Sequence, residues 1–411
     1  MSQKPTTGDH LGRLRRQSSL TQEQLAERSG ISVEVIRKLE QGARRSARMD
    51  TLHALARALG VPTSALLGDT SEAAARAEPD HRPLSLAEIR RAVAPVRGLN
   101  GGALAVPAAE PPSLGVLRGH LHAVDRAYQT NDYARALADM PGLLLNVRAA
   151  VDLADDEPAA CALLARTLHL TGNLLIQLRA GDLAQTAFAD ALDAARRSGD
   201  QVIGATVIKG TCWLLLRQGR IAEAAELAVA TADEVEPKFS RATADELAAW
   251  GWLTTVAAAA YARDNQPDQA ADLIAAAASA AVRIGERQPM EGHLIMVSGF
   301  TPGKVQMQRA ENAAVAGDPS RVLELSALVP PGPTPVGSSW QRHRLDVAWA
   351  HAERREFSEA TGVLLELRGM APAWLRHQRY ARNIVQSIAE QRRRAMSTEL
   401  AELASLMGCG A

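Results

Sequence analysis

Residues 20–42, LTQEQLAERSGISVEVIRKLEQG, constrain this chain more than any other stretch. Thr21 is placed to cap a helix, and Gln24, three residues on, completes a capping box. Leu25 and Ala26 fall on the inward side. Gly30 stands where a tight turn needs a positive φ, which glycine adopts without steric penalty. Ser32 is placed to cap a second helix, whose buried side carries Ile36 and Leu39, three apart, and Gly42 stops it. Val33, Glu34, Arg37 and Lys38 are left facing outward. Two short helices on one glycine turn form the layout that lays a helix in the DNA major groove.

The likeness extends on both sides. Leu11, Leu14 and Arg15 supply a helix before the pair, Leu52, Leu55, Ala56, Leu59, Gly60 and Val61 one after it, and Pro62 to Leu67 a short fifth. Residues 11–67 thus resemble the XRE-type helix-turn-helix domain of phage and bacterial repressors. The resemblance implies an ion pair between Arg15 and Glu40. It places Gln22 on a backbone phosphate, and Val33, Glu34 and Lys38 against base edges. Val33 would meet a thymine methyl, Glu34 cytosine N4, and Lys38 guanine O6 or N7. Ser32, Arg37, Arg44, Arg45 and Arg48 would bind phosphates and set register. The family binds double-stranded operators as dimers on two half-sites. So short a module has little area to hold a dimer, so the remainder of the chain is the expected homodimer scaffold.

Composition sets bounds. At 411 residues the chain far exceeds one such domain, and its formal net charge is zero. Residues 1–67 nevertheless carry eleven Lys and Arg against six acids, a local excess that suits phosphate contact. Three widely spaced cysteines without metal spacing, no apolar leader and no run of about 18 apolar residues point to a soluble cytoplasmic protein without a membrane partner.

The expected organisation is all-α. Residues 8–68 form the five-helix DNA-binding domain. Residues 69–113 are a linker with a short helix at 85–94, opened by a Ser85/Glu88 capping box. Residues 114–411 are helical repeats. Their turns align at Asn131, Gly181, Gly219, Asn265, Gly317 and Arg355, each near the start of a turn-former, apolar-or-Pro, Ala pattern. This resembles the turn of tetratricopeptide (TPR) repeats, at irregular spacings of 50, 38, 46, 52 and 38 residues. Such helix pairs cannot bury their apolar faces alone and stack into an α-solenoid.

In TPR domains the positions 2, 6 and 10 before the turn face the concave groove. Before Gly219 these are Arg217, Trp213 and Lys209, one stripe of a helix. Position 2 is Arg179, Arg217 and Arg263 in three successive repeats, a row suited to an anionic effector. Asn173 and Gln177 lie one turn apart beside it and suit a peptide backbone. No P-loop, GxSxG, GxGxxG or metal spacing occurs, so neither enzyme activity nor a cofactor is expected. The architecture resembles the peptide-pheromone receptors of the RNPP group. It implies a transcriptional regulator whose solenoid binds a small-molecule or peptide effector and dimerises; the alternative is a DNA-tethered scaffold that recruits a protein partner.

Overall fold

The computed structural model describes residues 6–44, 47–67, 86–96, 99, 111–285, 299–329, 338–376, 378–391 and 397–408. Among them every regular element is a helix. The N-terminal domain holds α1 (Thr7–Gln17), α2 (Gln22–Ser29), α3 (Val33–Glu40), α4 (Met49–Leu59) and α5 (Ser64–Leu67). Capping boxes Thr6/Asp9 and Thr21/Gln24 open α1 and α2, and Gly30 closes α2 at φ 69°. Ser32 precedes α3 in extended backbone, but its side chain makes no cap hydrogen bond. Leu11, Leu25, Ile36, Leu39, Leu55, Leu59 and Leu66 bury together as the small core. A side chain at Gly8 would place its Cβ 2.0 Å from the Leu39 carbonyl oxygen, so glycine lets α1 lie directly on the end of α3.

The expected linker helix is α6 (Ala87–Val93), and it packs on the solenoid through Ile89, Ala92 and Val93. Ser85, its anticipated cap, lies outside the described residues. Six helical hairpins follow: α7 (Leu114–Gln129) with α8 (Tyr133–Leu153), α9 (Glu157–Gln177) with α10 (Gly181–Ser198), and α11 (Gln201–Arg217) with α12 (Ile221–Glu234). Then come α13 (Ala244–Arg263) with α14 (Pro267–Ile284), α15 (Pro302–Ala316) with α16 (Pro319–Ala327), and α17 (Ser338–Glu353) with α18 (Phe357–Met370). α19 (Pro372–Arg376), α20 (Arg379–Gln391) and α21 (Thr398–Leu406) close the array.

The odd-numbered helices α7 to α17 pack side by side, and α20 continues their row; the even-numbered helices pack mainly on their own hairpin partners and on the next odd helix. Closer packing along the odd row curves the stack toward it, so the odd helices line the concave groove. α9 is long and apolar because it is a core helix, buried among its neighbours. Phe188 of α10 fills the space between α9 and α11, where a Cβ at Gly172 or at Gly210 would come within 2.7 Å of its ring.

Each hairpin turn has one left-handed residue: Asn131, Arg179, Gly219, Asn265, Gly317 and Arg355, with φ between 58° and 78°. The residue after it donates its N–H to the carbonyl five residues back. The pairs are Asp132 to Ala127, Ala180 to Leu175, Arg220 to Leu215, Gln266 to Tyr261, Asp318 to Ala313 and Glu356 to His351, all at 2.8–3.0 Å. This is the Schellman closure of a helix C-terminus. Five turns fall at the anticipated residue. In the second repeat the left-handed residue is Arg179, and Gly181 is already the first residue of α10.

Replacing Gly8 should show how tightly α1 is seated. Gly8→Ala meets a backbone carbonyl that no rotamer change can move, and should destabilise the N-terminal domain by about 1–3 kcal/mol. Gly119→Ala, in open space on α7, should be neutral or slightly stabilising. Urea melts of the two variants check this.

Candidate nucleic-acid interface and the groove behind it

The outward face of α3 is built as the sequence implies. Ile36 and Leu39 are buried, while Glu34, Arg37 and Lys38 are exposed and Val33 is half-buried. Glu34 and Lys38 pair across one helical turn at 2.6 Å, both well exposed. Exposed pairs of this kind are held weakly, so both remain usable by a ligand. Arg44 follows α3 on a backbone bond from its N–H to the Lys38 carbonyl at 2.8 Å, and is exposed. Arg45 lies outside the described residues.

Two of the anticipated phosphate contacts are engaged inside the protein. Gln22 donates its amide to the Glu40 carboxylate at 2.8 Å. Arg48 reaches the Asn383 side chain of α20 at 3.5 Å. The Arg15–Glu40 pair is present and forked, at 2.7 and 2.9 Å, and Arg15 also donates to the Leu20 carbonyl at 2.7 Å. Its side chains are only 13% and 10% exposed. Burial pushes the Glu40 carboxyl up, but the bonds from Arg15 and Gln22 and the charges of Arg15 and Arg16 outweigh it and hold the pKa below 4.5. This knot joins the start of α2 and the end of α3 to α1, and so fixes the angle at which α3 is presented.

Comparison with known proteins assigns this module. The helix-turn-helix family model matches residues 11–66. An uncharacterized HTH-type transcriptional regulator of Sinorhizobium fredii, y4dJ, is 42% identical over 72 residues, a span covering 92% of that protein and 18% of this chain. The chain belongs to the helix-turn-helix transcriptional regulators. Its likeness to y4dJ rests on a small part of the chain and carries nothing about the solenoid.

The regulator's DNA-binding domain is seated on its solenoid through α4 and the start of α5. Thr63 donates its hydroxyl to the Arg263 carbonyl at 2.8 Å, and His53 donates Nδ1–H to the same oxygen at 2.9 Å. Arg57 donates to the Ala316 carbonyl and lies against Gly317. Met49 packs near Gly219. Arg263 and Ala316 are the last residues of α13 and α15, whose final carbonyls have no intrahelical donor. A cationic Arg57 at such an end also meets the negative pole of the helix dipole. Burial holds the His53 imidazole below 6.5. The sequence reading did not single out His53, Arg57 or Thr63; their one visible signal is that His53 and Arg57, i and i+4, put polar groups on one stripe of α4.

Inside the groove the anticipated stripe is partly assembled. Lys209, Trp213 and Arg217 share one face of α11; Lys209 and Trp213 are half-buried and Arg217 is accessible. Trp213 packs against the apolar cluster of α11–α13, as core does. Arg263 binds Glu311 of α15 at 2.5 Å and its own helix at Ala259, so its guanidinium already has a carboxylate. Arg217 has no ion pair among the described residues. With the turn at Arg179, the residue equivalent to Arg217 and Arg263 is Gln177, which lies beside Tyr128. Arg179 is exposed in the turn and leaves the row. Asn173 binds the His169 ring at 3.2 Å. The groove also holds residues the sequence did not mark: Arg342 stacks over Tyr380 at 4.4 Å and pairs with Asp346 at 3.5 Å.

Removing Glu40 tests the knot. Glu40→Ala leaves Arg15 buried without its partner and should cost the domain about 3–5 kcal/mol, leaving the solenoid helical. Because the folded pKa of Glu40 is depressed, its contribution is complete above about pH 4.5 and is lost as pH falls through the folded value. A variant whose domain melts like the wild type at pH 7 contradicts this account.

Proposed function

We propose that the regulator binds a specific operator through α3 as a homodimer, and that a small-molecule or peptide effector in the solenoid groove changes that binding. Val33, Glu34 and Lys38 read base edges. Ser32, Arg37, Arg44 and Arg45 hold phosphates. Arg48 and Gln22 join them only when they leave Asn383 and Glu40. The observation that carries the reading is the seat of α4. It rests on the last carbonyls of α13 and α15, two helices that line the groove. A ligand that changes how those helices stack moves the seat, and with it the spacing of two DNA-binding domains in a dimer. Control follows only from the ligand's different affinity for the two shapes; tenfold control needs about 1.4 kcal/mol. Arg217, Lys209, Gln177 and Asn173 are the polar groups offered to that ligand.

Selection of binding sites from random duplex DNA with the full chain supplies the operator and the test. Lys38→Ala should relax the preference at one base pair, at a cost of about 1–3 kcal/mol. Arg44→Ala should weaken all sequences alike and reduce the salt slope by about 1. If a chain lacking residues 1–70 still binds the selected operator, the reading fails.

A further inference from the structure

Four inner helices send donors without acceptors into the middle of the groove, away from the edge that seats α4. Lys209 of α11 lies over the Trp252 ring of α13, its Nζ 5.0 Å from the ring centroid. Lys304 of α15 is within electrostatic reach of Lys209 and of His343 on α17. The Trp252 indole Nε1 and the His343 Nδ1 are buried with no hydrogen-bond partner. On α9, His169 closes the other side: its ring lies against Gly210, and the charge of Lys209 bears on it. Neither lysine has an ion pair among the described residues, and the one charge that acts on Lys209 is the positive charge of Lys304.

A packing role does not account for this cluster. Partly burying an ammonium without a counter-ion is unfavourable, and here two half-buried ones stand near each other. Lys304 also stands in the first turn of α15, where the helix dipole is positive and a cation is disfavoured. Desolvation brings both amines from 10.5 down to about 8, still charged for the most part at neutral pH. The part of the groove nearer α4 differs, because Glu311 and Asp346 answer its arginines there. The lysine cluster is the stretch of the groove whose described side chains concentrate positive charge and unused donors. Beside it the half-buried Trp252 ring is backed by the buried Phe300 ring, 5.4 Å away.

We propose that Lys209, Trp252, Lys304 and His343 form an anion-binding subsite that takes a phosphate or carboxylate head group, with the apolar body of the ligand against Trp252. The proposal rests on the groove's reading as the sensing site and names the chemistry of what it senses.

The test uses the full chain, with inorganic phosphate and acetate as separate probes against chloride, read by calorimetry and tryptophan fluorescence. One of the two anions should bind, and which one does identifies the head group. Lys209→Met and Lys304→Gln should each weaken that binding at least tenfold, and Lys209→Arg should retain it. Without anion, both neutral variants should melt at or above the wild-type temperature, because each removes an uncompensated charge; a structural lysine would lower it. Failure of both anions to bind at millimolar concentration, or binding unchanged in the double variant, overturns the subsite. Binding that depends on both lysines but leaves operator affinity unchanged keeps the subsite and overturns the effector reading.

Discussion

One hydrogen bond recurs through the solenoid and orders the rest of it. At every described hairpin turn an N–H reaches back five residues to a carbonyl, around a residue in the left-handed region. The bond ends each inner helix within a residue or two of the same point and reverses the chain onto its outer partner. Repetition aligns the C-termini of the inner helices along one edge of the groove. The final carbonyls of those helices, unmatched within them, become a row of acceptors. The DNA-binding domain uses two places on that edge: Arg263 O takes Thr63 and His53, and Ala316 O takes Arg57. A local rule for ending helices thereby creates the surface that positions a separate domain.

The groove behind that edge is polar in a way that stability alone does not favour. Arg263–Glu311 and Arg342–Asp346 enclose charge, and buried pairs of this kind are often no better than apolar packing of the same volume. Lys209 and Lys304 go further and lack even a partner among the described residues. The adjoining core is rich in alanine, and Phe188 is set between two glycines, which brings the helices close.

Much of this was legible in the sequence, for identifiable reasons. The helix-turn-helix module could be read because its caps, its Gly30 turn and its Leu and Ile spacing all point to one answer; the Arg15–Glu40 pair, 25 residues apart, was implied by the resemblance. The solenoid turns were legible where Gly or Asn supplied the left-handed residue, and at Arg355, where the apolar and Ala residues after the turn marked it. They slipped at the second repeat because glycine is the natural candidate for positive φ, yet Arg179 adopts it and Gly181 begins a helix. That two-residue slip moved Arg179 out of the groove and put Gln177 in its place. The seat of α4 was not legible, because its acceptors are backbone carbonyls, which every residue has; only three-dimensional alignment makes Arg263 O and Ala316 O special. The phosphate role of Gln22 came from the resemblance alone; its bond to Glu40, eighteen residues away, was not legible because no periodicity connects the two.

The central claim is that the carbonyl edge of the solenoid holds the DNA-binding domain in one orientation. Electron–electron resonance between spin labels at exposed Glu27→Cys on α2 and Gln185→Cys on α10, in a background without the native cysteines, tests it most directly. With the labelled chain diluted into unlabelled protein, so that only distances within one chain are read, the account predicts one narrow distance distribution, which broadens when His53, Arg57 and Thr63 are all replaced by Ala. A broad distribution in the parent protein, or a narrow one that the triple replacement leaves unchanged, would contradict it.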